Sequence, residues 1–273
     1  MKFLIVTADD LGLAKSINEG IAKACREGIV NSVSVIPTGK AFADALEVIK
    51  DLGLKEIGAH LALTETTPLL SSSKSYKNHN RLFKDIYFAK ADLGGVYKEL
   101  KAQLELLKTS GLKITHINSH EHIHMIPDIL NIFILLAKEF NIPAIRYPRC
   151  DRPMRAFNIG DLYKKIILSY FAGRTAKLYE NSGLVYTDHF IGLLDAGRLN
   201  ESILTEMIRG LGDGVTELVC HPGFLSPEVV NSYKWHLGAE AELFALTEPR
   251  VKNAMSENGI RSISYGELPS VRR

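Results

Sequence analysis

Lys2–Thr7 reads KFLIVT and runs straight into Ala8-Asp9-Asp10-Leu11-Gly12. The short apolar run has the length of a buried strand, and the two acids directly follow it. The next periodic stretch is different. Ser16–Arg26 places Ile17, Ile21 and Ala24 at helical spacing, with Ser16 as a candidate N-cap. This strand-then-helix step recurs along the whole chain.

Strand-like runs follow at Val33–Ile36, Ile57–Leu63, Ile114–Asn118, Ala144–Tyr147, Val185–Phe190, Thr216–Cys220 and Ser262–Ser264. Helical runs lie between them at Ala41–Lys50, Asp92–Thr109, Asp128–Phe140, Ile159–Phe171, Glu201–Arg209, Leu237–Leu246 and Pro249–Asn258. Pro127 suits a first helical position, and Ser110-Gly111 marks a helix end. Seven or eight β-then-α units with no break in composition argue for a parallel sheet. At 273 residues, one closed or nearly closed (β/α) barrel fits better than a doubly wound open sheet.

Composition narrows the function. Hydrophobic residues are 46% and charged residues 23%, which excludes a mostly disordered chain. The net charge of +2 gives no electrostatic case for nucleic acid or an anionic membrane. Cys25, Cys150 and Cys220 are odd in number and far apart, so reduced thiols are expected rather than a disulfide framework or a cysteine zinc site. The longest apolar candidate for a span, Ile129 to Ala137, is short and broken by Asn131. MKFLIVTADDLG lacks the long apolar region and cleavage site of a signal peptide. A soluble cytoplasmic protein without a membrane span is the expectation.

Two connections are long, at 64–91 and 222–236. Loops of that length usually have a function or are disordered. Their aromatics, Tyr76, Phe83, Tyr87, Phe88, Tyr233 and Trp235, would form a lid for stacking on a sugar. Otherwise they pack the loops down or make a homodimer contact.

Chemistry-bearing residues gather at strand ends. Neighbours in a strand point apart, so Asp9 and Asp10 can take separate jobs, one binding a metal and one moving a proton. His60 sits in IGAHLAL. His116, His120, His122 and His124 are four of the nine histidines, within nine residues. His120, His122 and His124 alternate and would share a face if the strand continued. Clustered imidazoles near carboxylates point to a metal site in which most of them are not ligands. Arg146 could grip a carboxylate with two hydrogen bonds. His221 is delivered by TELVC and followed by a Pro-Gly turn. In a parallel α/β barrel the C-terminal strand ends share one face, where active sites are built, so residues from 9 to 221 converge there.

Together ADDLG, GAHL, HINSHEHIHMIP and CHPG resemble the YdjC-like family, the ChbG-type carbohydrate deacetylases. The resemblance runs from Lys2 to at least Pro222, with Leu11 where the family usually has Phe. It implies a distorted (β/α) barrel related to NodB-type polysaccharide deacetylases, with residues 1–273 forming one domain. It implies Asp10, His60 and His120 as ligands of one divalent metal and Asp9 as catalytic base. By the looser NodB analogy, Arg146 orients the base and His221 is the acid. Mg2+ or Zn2+ is the expected ion, with Co2+, Ni2+ or Mn2+ as other candidates. The implied reaction removes N-acetyl groups from sugars such as chitooligosaccharides, although some members are associated with hopanoid biosynthesis. The competing readings are a non-haem iron oxygenase with a two-His-one-carboxylate site, and a noncatalytic sugar-binding or regulatory barrel.

Overall fold

The computed structural model of the chain describes residues 1–76, 78–149 and 159–272. Its first strand, β1, spans Lys2–Leu11 and carries both acids within it. Asp10 has a φ of 68°, and the register with the next strand shifts between Ala8 and Leu11. The acid pair therefore forms a bulge, a device that re-aims side chains. Leu13 N–H closes the turn onto the Asp10 carbonyl, and α1 (Lys15–Glu27) starts at once. Ala14, rather than Ser16, is the N-cap; the Ser16 hydroxyl instead lies 3.1 Å from that of Ser226.

The other main elements keep the strand-then-helix order. They are β2 (Ser32–Val35), α2 (Phe42–Asp51), β3 (Glu56–Leu61), α3 (His79–Tyr87), α4 (Leu93–Thr109) and β4 (Lys113–Ser119). A 3₁₀ segment, His120–Met125, leads to α5 (Pro127–Glu139), β5 (Ala144–Ile145) and α6 (Ile159–Ser182). Then come β6 (His189–Ile191), α7 (Glu201–Arg209), β7 (Gly214–Cys220), α8 (Pro227–Ser232), α9 (Ala239–Thr247), α10 (Pro249–Glu257) and β8 (Ile260–Ser262). There are additional helices after β3 and β7, and both long connections thus hold a short helix, α3 or α8. Asn78, Asp92, Asn200 and Ser226 cap α3, α4, α7 and α8 through their side chains.

The described residues form eight parallel strands ordered β5-β4-β3-β2-β1-β7-β6, with β8 also on β1. The sheet curls into a half-barrel flanked by helices, a distorted (β/α) barrel. A bridge from Ala144 to Val185 brings the segment before β6 back toward β5. One edge of β1 is shared: Lys2–Leu4 pair with β8, and Thr7 to Leu11 with β2. Asn31 spans the junction, accepting from Val6 N–H at 2.9 Å and donating to Ser262 Oγ at 2.6 Å.

The two faces of the sheet separate the chemistry. Leu4, Val6 and Ala8 join Val33, Val35, Ile57, Ala59, Ile117, Leu218 and the helices in the large apolar core. Each fully buried Ile or Leu there contributes about 1.5–3 kcal/mol. The alternate residues point inward. Ile5, Ala144 and Val215 pack with Ile263, Tyr265 and Leu268 as an apolar plug. Above it lie buried Asp9, Ser34, His60, His116, Asn118, Arg146 and Glu217. Period-two alternation thus delivers polar groups from many strands to one interior.

Of the loop aromatics, Tyr76 and Tyr233 are buried and pin their segments down, whereas Tyr87 and Phe88 are exposed. Cys25 and Cys220 are free thiols, and Cys150 lies outside the described residues. Among the described residues, no helix is long and apolar enough to cross a membrane.

Candidate active site

The C-terminal rim brings Asp9, Asp10, His60, His120, Arg146 and His221 together. Asp10 is the hub of one half. Its Oδ1 lies 2.9 Å from His120 Nδ1 and 3.2 Å from His60 Nε2. One donor atom from each of these three buried residues falls within 4.8 Å of the others. Asp10 Oδ2 is buried without a hydrogen-bond partner. One carboxylate and two imidazoles with spare acceptor capacity suit a divalent cation.

The neighbours fix how His60 presents itself. The Asn118 amide nitrogen donates to Ser34 Oγ at 2.9 Å and to Asp9 Oδ1 at 3.3 Å. Its oxygen must then accept from His60 Nδ1–H at 2.9 Å. That leaves the His60 Nε2 lone pair free to ligate, the usual arrangement in which a second polar group sets the tautomer. Burial pulls the His120 pKa down, but Asp10 and Glu65 outweigh it and push it up to about 10. Burial also raises the Asp10 pKa, and the contacts with His120 and His236 override it to hold the carboxyl well below the ordinary range.

Asp9 faces the other way. Arg146 Nη2 donates to its Oδ1 at 2.9 Å, and Nη1 donates to Oδ2. The guanidinium is fully buried and also donates to Glu217 Oε1, from Nε at 3.0 Å and Nη2 at 2.8 Å. Tyr265 O–H donates to the other Glu217 oxygen at 2.5 Å. Burial raises the Asp9 pKa, but the Arg146 charge dominates and holds Asp9 ionised.

His221 follows β7 with its side chain 12% exposed. Its backbone N–H donates to buried Glu242 Oε2 at 2.7 Å, and the second Glu242 oxygen accepts from Gly197 N–H. His221 Nδ1 has no hydrogen-bond partner. Burial pulls the His221 pKa down to about 4 and pushes that of Glu242 up to about 7.

The histidine cluster departs from expectation. β4 ends at Ser119, and Glu121 and His122 have φ values of 52° and 51°. This tight turn removes the alternation, so His120, His122 and His124 do not share a face. His120 enters the metal-type cluster. His124 is buried against Ser119 and the Arg146 carbonyl, and His122 lies edge-on to Phe190. His116 points inward, its Nε2 3.1 Å from Ser34 Oγ and its ring stacked on Tyr265 at 3.7 Å. Gly58 makes that possible, since a Cβ there would sit 2.3 Å from the His116 ring.

Four neighbours of the site, His236, Glu65, Glu242 and Glu217, are not singled out by sequence. His236 is buried, with Nε2 3.4 Å from Asp10 Oδ2. Glu65 and Glu242 come from a loop and from a helix. Glu217 did carry a signal, as a charged residue inside the strand run TELVC. Trp235 stands among His120, His221 and His236, with ring centroids 5.5, 5.2 and 3.8 Å away.

Known proteins match over nearly this whole length. The family model of YdjC-like proteins matches residues 3–257. A carbohydrate deacetylase of Brevibacillus brevis is 30% identical over 97% of this chain and 99% of its own. Another, from Geobacillus stearothermophilus, is 30% identical over 98% of each chain. Among solved structures, a proposed cellobiose-phosphate cleavage protein of Enterococcus faecalis V583 aligns with a TM-score of 0.78. It is 25% identical, with 98% of each chain covered.

Proposed function

Because the chain belongs to the YdjC-like family, we propose that it is a metal-dependent carbohydrate deacetylase. Its substrate is an N-acetylated sugar of the chitooligosaccharide kind, and its products are acetate and the free amine. The observation that carries the reading is the pairing, on one rim, of the Asp10–His60–His120 cluster with an arginine-clamped Asp9.

Asp10, His60 and His120 would hold the cation, and two imidazoles favour Zn2+, Co2+, Ni2+ or Mn2+ over Mg2+. A divalent ion held there would supply polarisation of the acetyl carbonyl and a more acidic water. Asp9 takes the proton of the attacking water. Its Oδ1 already accepts from Arg146 and Asn118, whereas Oδ2 accepts from Arg146 alone and keeps a lone pair for that proton. Arg146 fixes the carboxylate plane, and Glu217 holds Arg146 from behind. The amide nitrogen needs a proton before the C–N bond breaks, and His221 supplies it. Burial keeps His221 neutral at rest, so the proton that Asp9 removes from the water must reach its imidazole before His221 passes it to the nitrogen. In a binding-only barrel the clamped Asp9 would serve only as the counter-charge of buried Arg146.

The test uses chelator-stripped protein, a panel of N-acetylated oligosaccharides and divalent metals added singly. Acetate release with at least one ion is expected. Asp10→Ala, His60→Ala and His120→Ala should each lower bound metal and abolish release. Sugar binding without acetate under every metal would overturn the proposal.

A further inference from the structure

Both nitrogens of His120 are engaged. Nδ1 faces Asp10 Oδ1, the oxygen that His60 also approaches, while Nε2 lies 3.1 Å from Glu65 Oε2. The same Glu65 oxygen accepts the Trp235 indole N–H at 3.0 Å. One carboxylate from the connection after β3 therefore ties a ring on the β4 end to a ring on the segment after β7.

Glu65 is not a free surface acid. Its φ is 58°, an uncommon left-handed conformation for a residue with a side chain. Its N–H donates to the Tyr76 carbonyl at 3.3 Å, and Tyr76 N–H returns to the Leu63 carbonyl at 3.3 Å. Farther along, the Glu99 carboxylate of α4 accepts the N–H groups of Leu69 and Leu70 at 2.8 and 2.9 Å. The loop is braced from both sides, so Glu65 is presented in one place.

A ligating imidazole generally donates its other N–H to a carboxylate, carbonyl or water, which sets the ring orientation and raises its basicity. Resting on the metal-site reading above, we propose that Glu65 is the positioning carboxylate of His120. It takes Nε2–H, turns Nδ1 to the cation, and couples the site to the Trp235 segment. His60 and His120 thus ligate through opposite nitrogens, each set by a different partner: Asn118 for His60 and Glu65 for His120.

The test titrates Co2+ into the full-length, metal-stripped chain, following the visible d–d absorption and the emission of Trp235, the one tryptophan in the sequence. Glu65→Ala should weaken Co2+ binding about 10–100-fold, the usual loss when such a partner is removed. Glu65→Gln should lose less, because its amide oxygen still accepts Nε2–H, and its d–d band should shift. A purely structural role would lower the metal-free melting temperature and leave affinity and band unchanged. Wild-type affinity in Glu65→Ala, with binding lost in His120→Ala, overturns this inference and leaves the metal site standing. Wild-type affinity in both overturns the site reading itself. If Glu65→Ala does not fold, wild-type affinity and an unshifted band in Glu65→Gln overturn the inference.

Discussion

Replacing Arg146 with Met isolates what a fully buried guanidinium does. Arg146 lies between two buried carboxylates, Asp9 and Glu217, and bonds both. Met keeps the apolar stem but removes the charge and every donor. Glu217 keeps the Tyr265 hydroxyl, and Asp9 keeps only the long bond from Asn118. Removing one side of a buried ion pair costs about 3–5 kcal/mol. At roughly 2–4 °C per kcal/mol for a large domain, the melting temperature should fall by about 6–20 °C near neutral pH. The loss should also depend on pH with a definite sign. In the wild type the folded Asp9 pKa is depressed, so its stabilisation is present above the ordinary carboxylate range and is lost as pH falls through the folded value. In Arg146→Met burial acts with little to oppose it, and the folded pKa rises above the unfolded one. The variant is then best placed below the ordinary carboxylate pKa and loses stability as pH climbs. The gap between the two proteins should widen from about pH 4.5 to about pH 8. Melts of both metal-free proteins across that range measure it. A gap of constant size, or a variant as stable as the wild type, would refute the reasoning.

Other outcomes follow from the same geometry. Asp9→Asn should keep most of its metal yet lose about 10²–10⁴-fold in rate, and losing metal with activity would put Asp9 among the ligands. His221→Ala should retain metal and cripple acetamide cleavage while sparing a nitrophenyl acetate, whose leaving group needs little protonation. Equal losses on amide and ester would remove His221 as the acid. A Cβ at Gly20 would lie 2.3 Å from Gly223 Cα, so Gly20→Ala must push the turn that follows His221. Its kcat should drop by up to about 100-fold, more than its melting temperature implies, and an unchanged kcat would show that turn to be tolerant.

Where a residue's role follows from strand periodicity, the sequence is readable. The β/α alternation and the strand ends carrying Asp9, Asp10, His60, His120, Arg146 and His221 could be read from local pattern. So could the divergence of the two acids, although a bulge within β1 accomplishes it rather than the strand's end. What escaped depends on tertiary context. His236 and Glu65 come from connections without periodicity, and only the fold sets them beside Asp10 and His120. Alternation at His120, His122 and His124 failed because the chain turns left-handed at Glu121. The resting neutrality of His221 is a matter of burial, which no spacing reports.

The divided edge of β1 has a consequence for the order of assembly. β1 completes its hydrogen bonds only with β7 and β8, and the Cys220 thiol that reaches the Thr7 carbonyl lies 213 positions away in the chain. At about 5–20 residues per second, synthesis of that interval takes roughly 10–40 s. Until β7 is made, β2 is the native neighbour available to the strand bearing Asp9 and Asp10, and the opposite edge has none. Contacts so distant in sequence make folding slow and expose strand edges in the interim. The acid pair is therefore translated well ahead of Arg146, Glu217 and Tyr265, and its surroundings are completed only when the far end of the chain returns to β1.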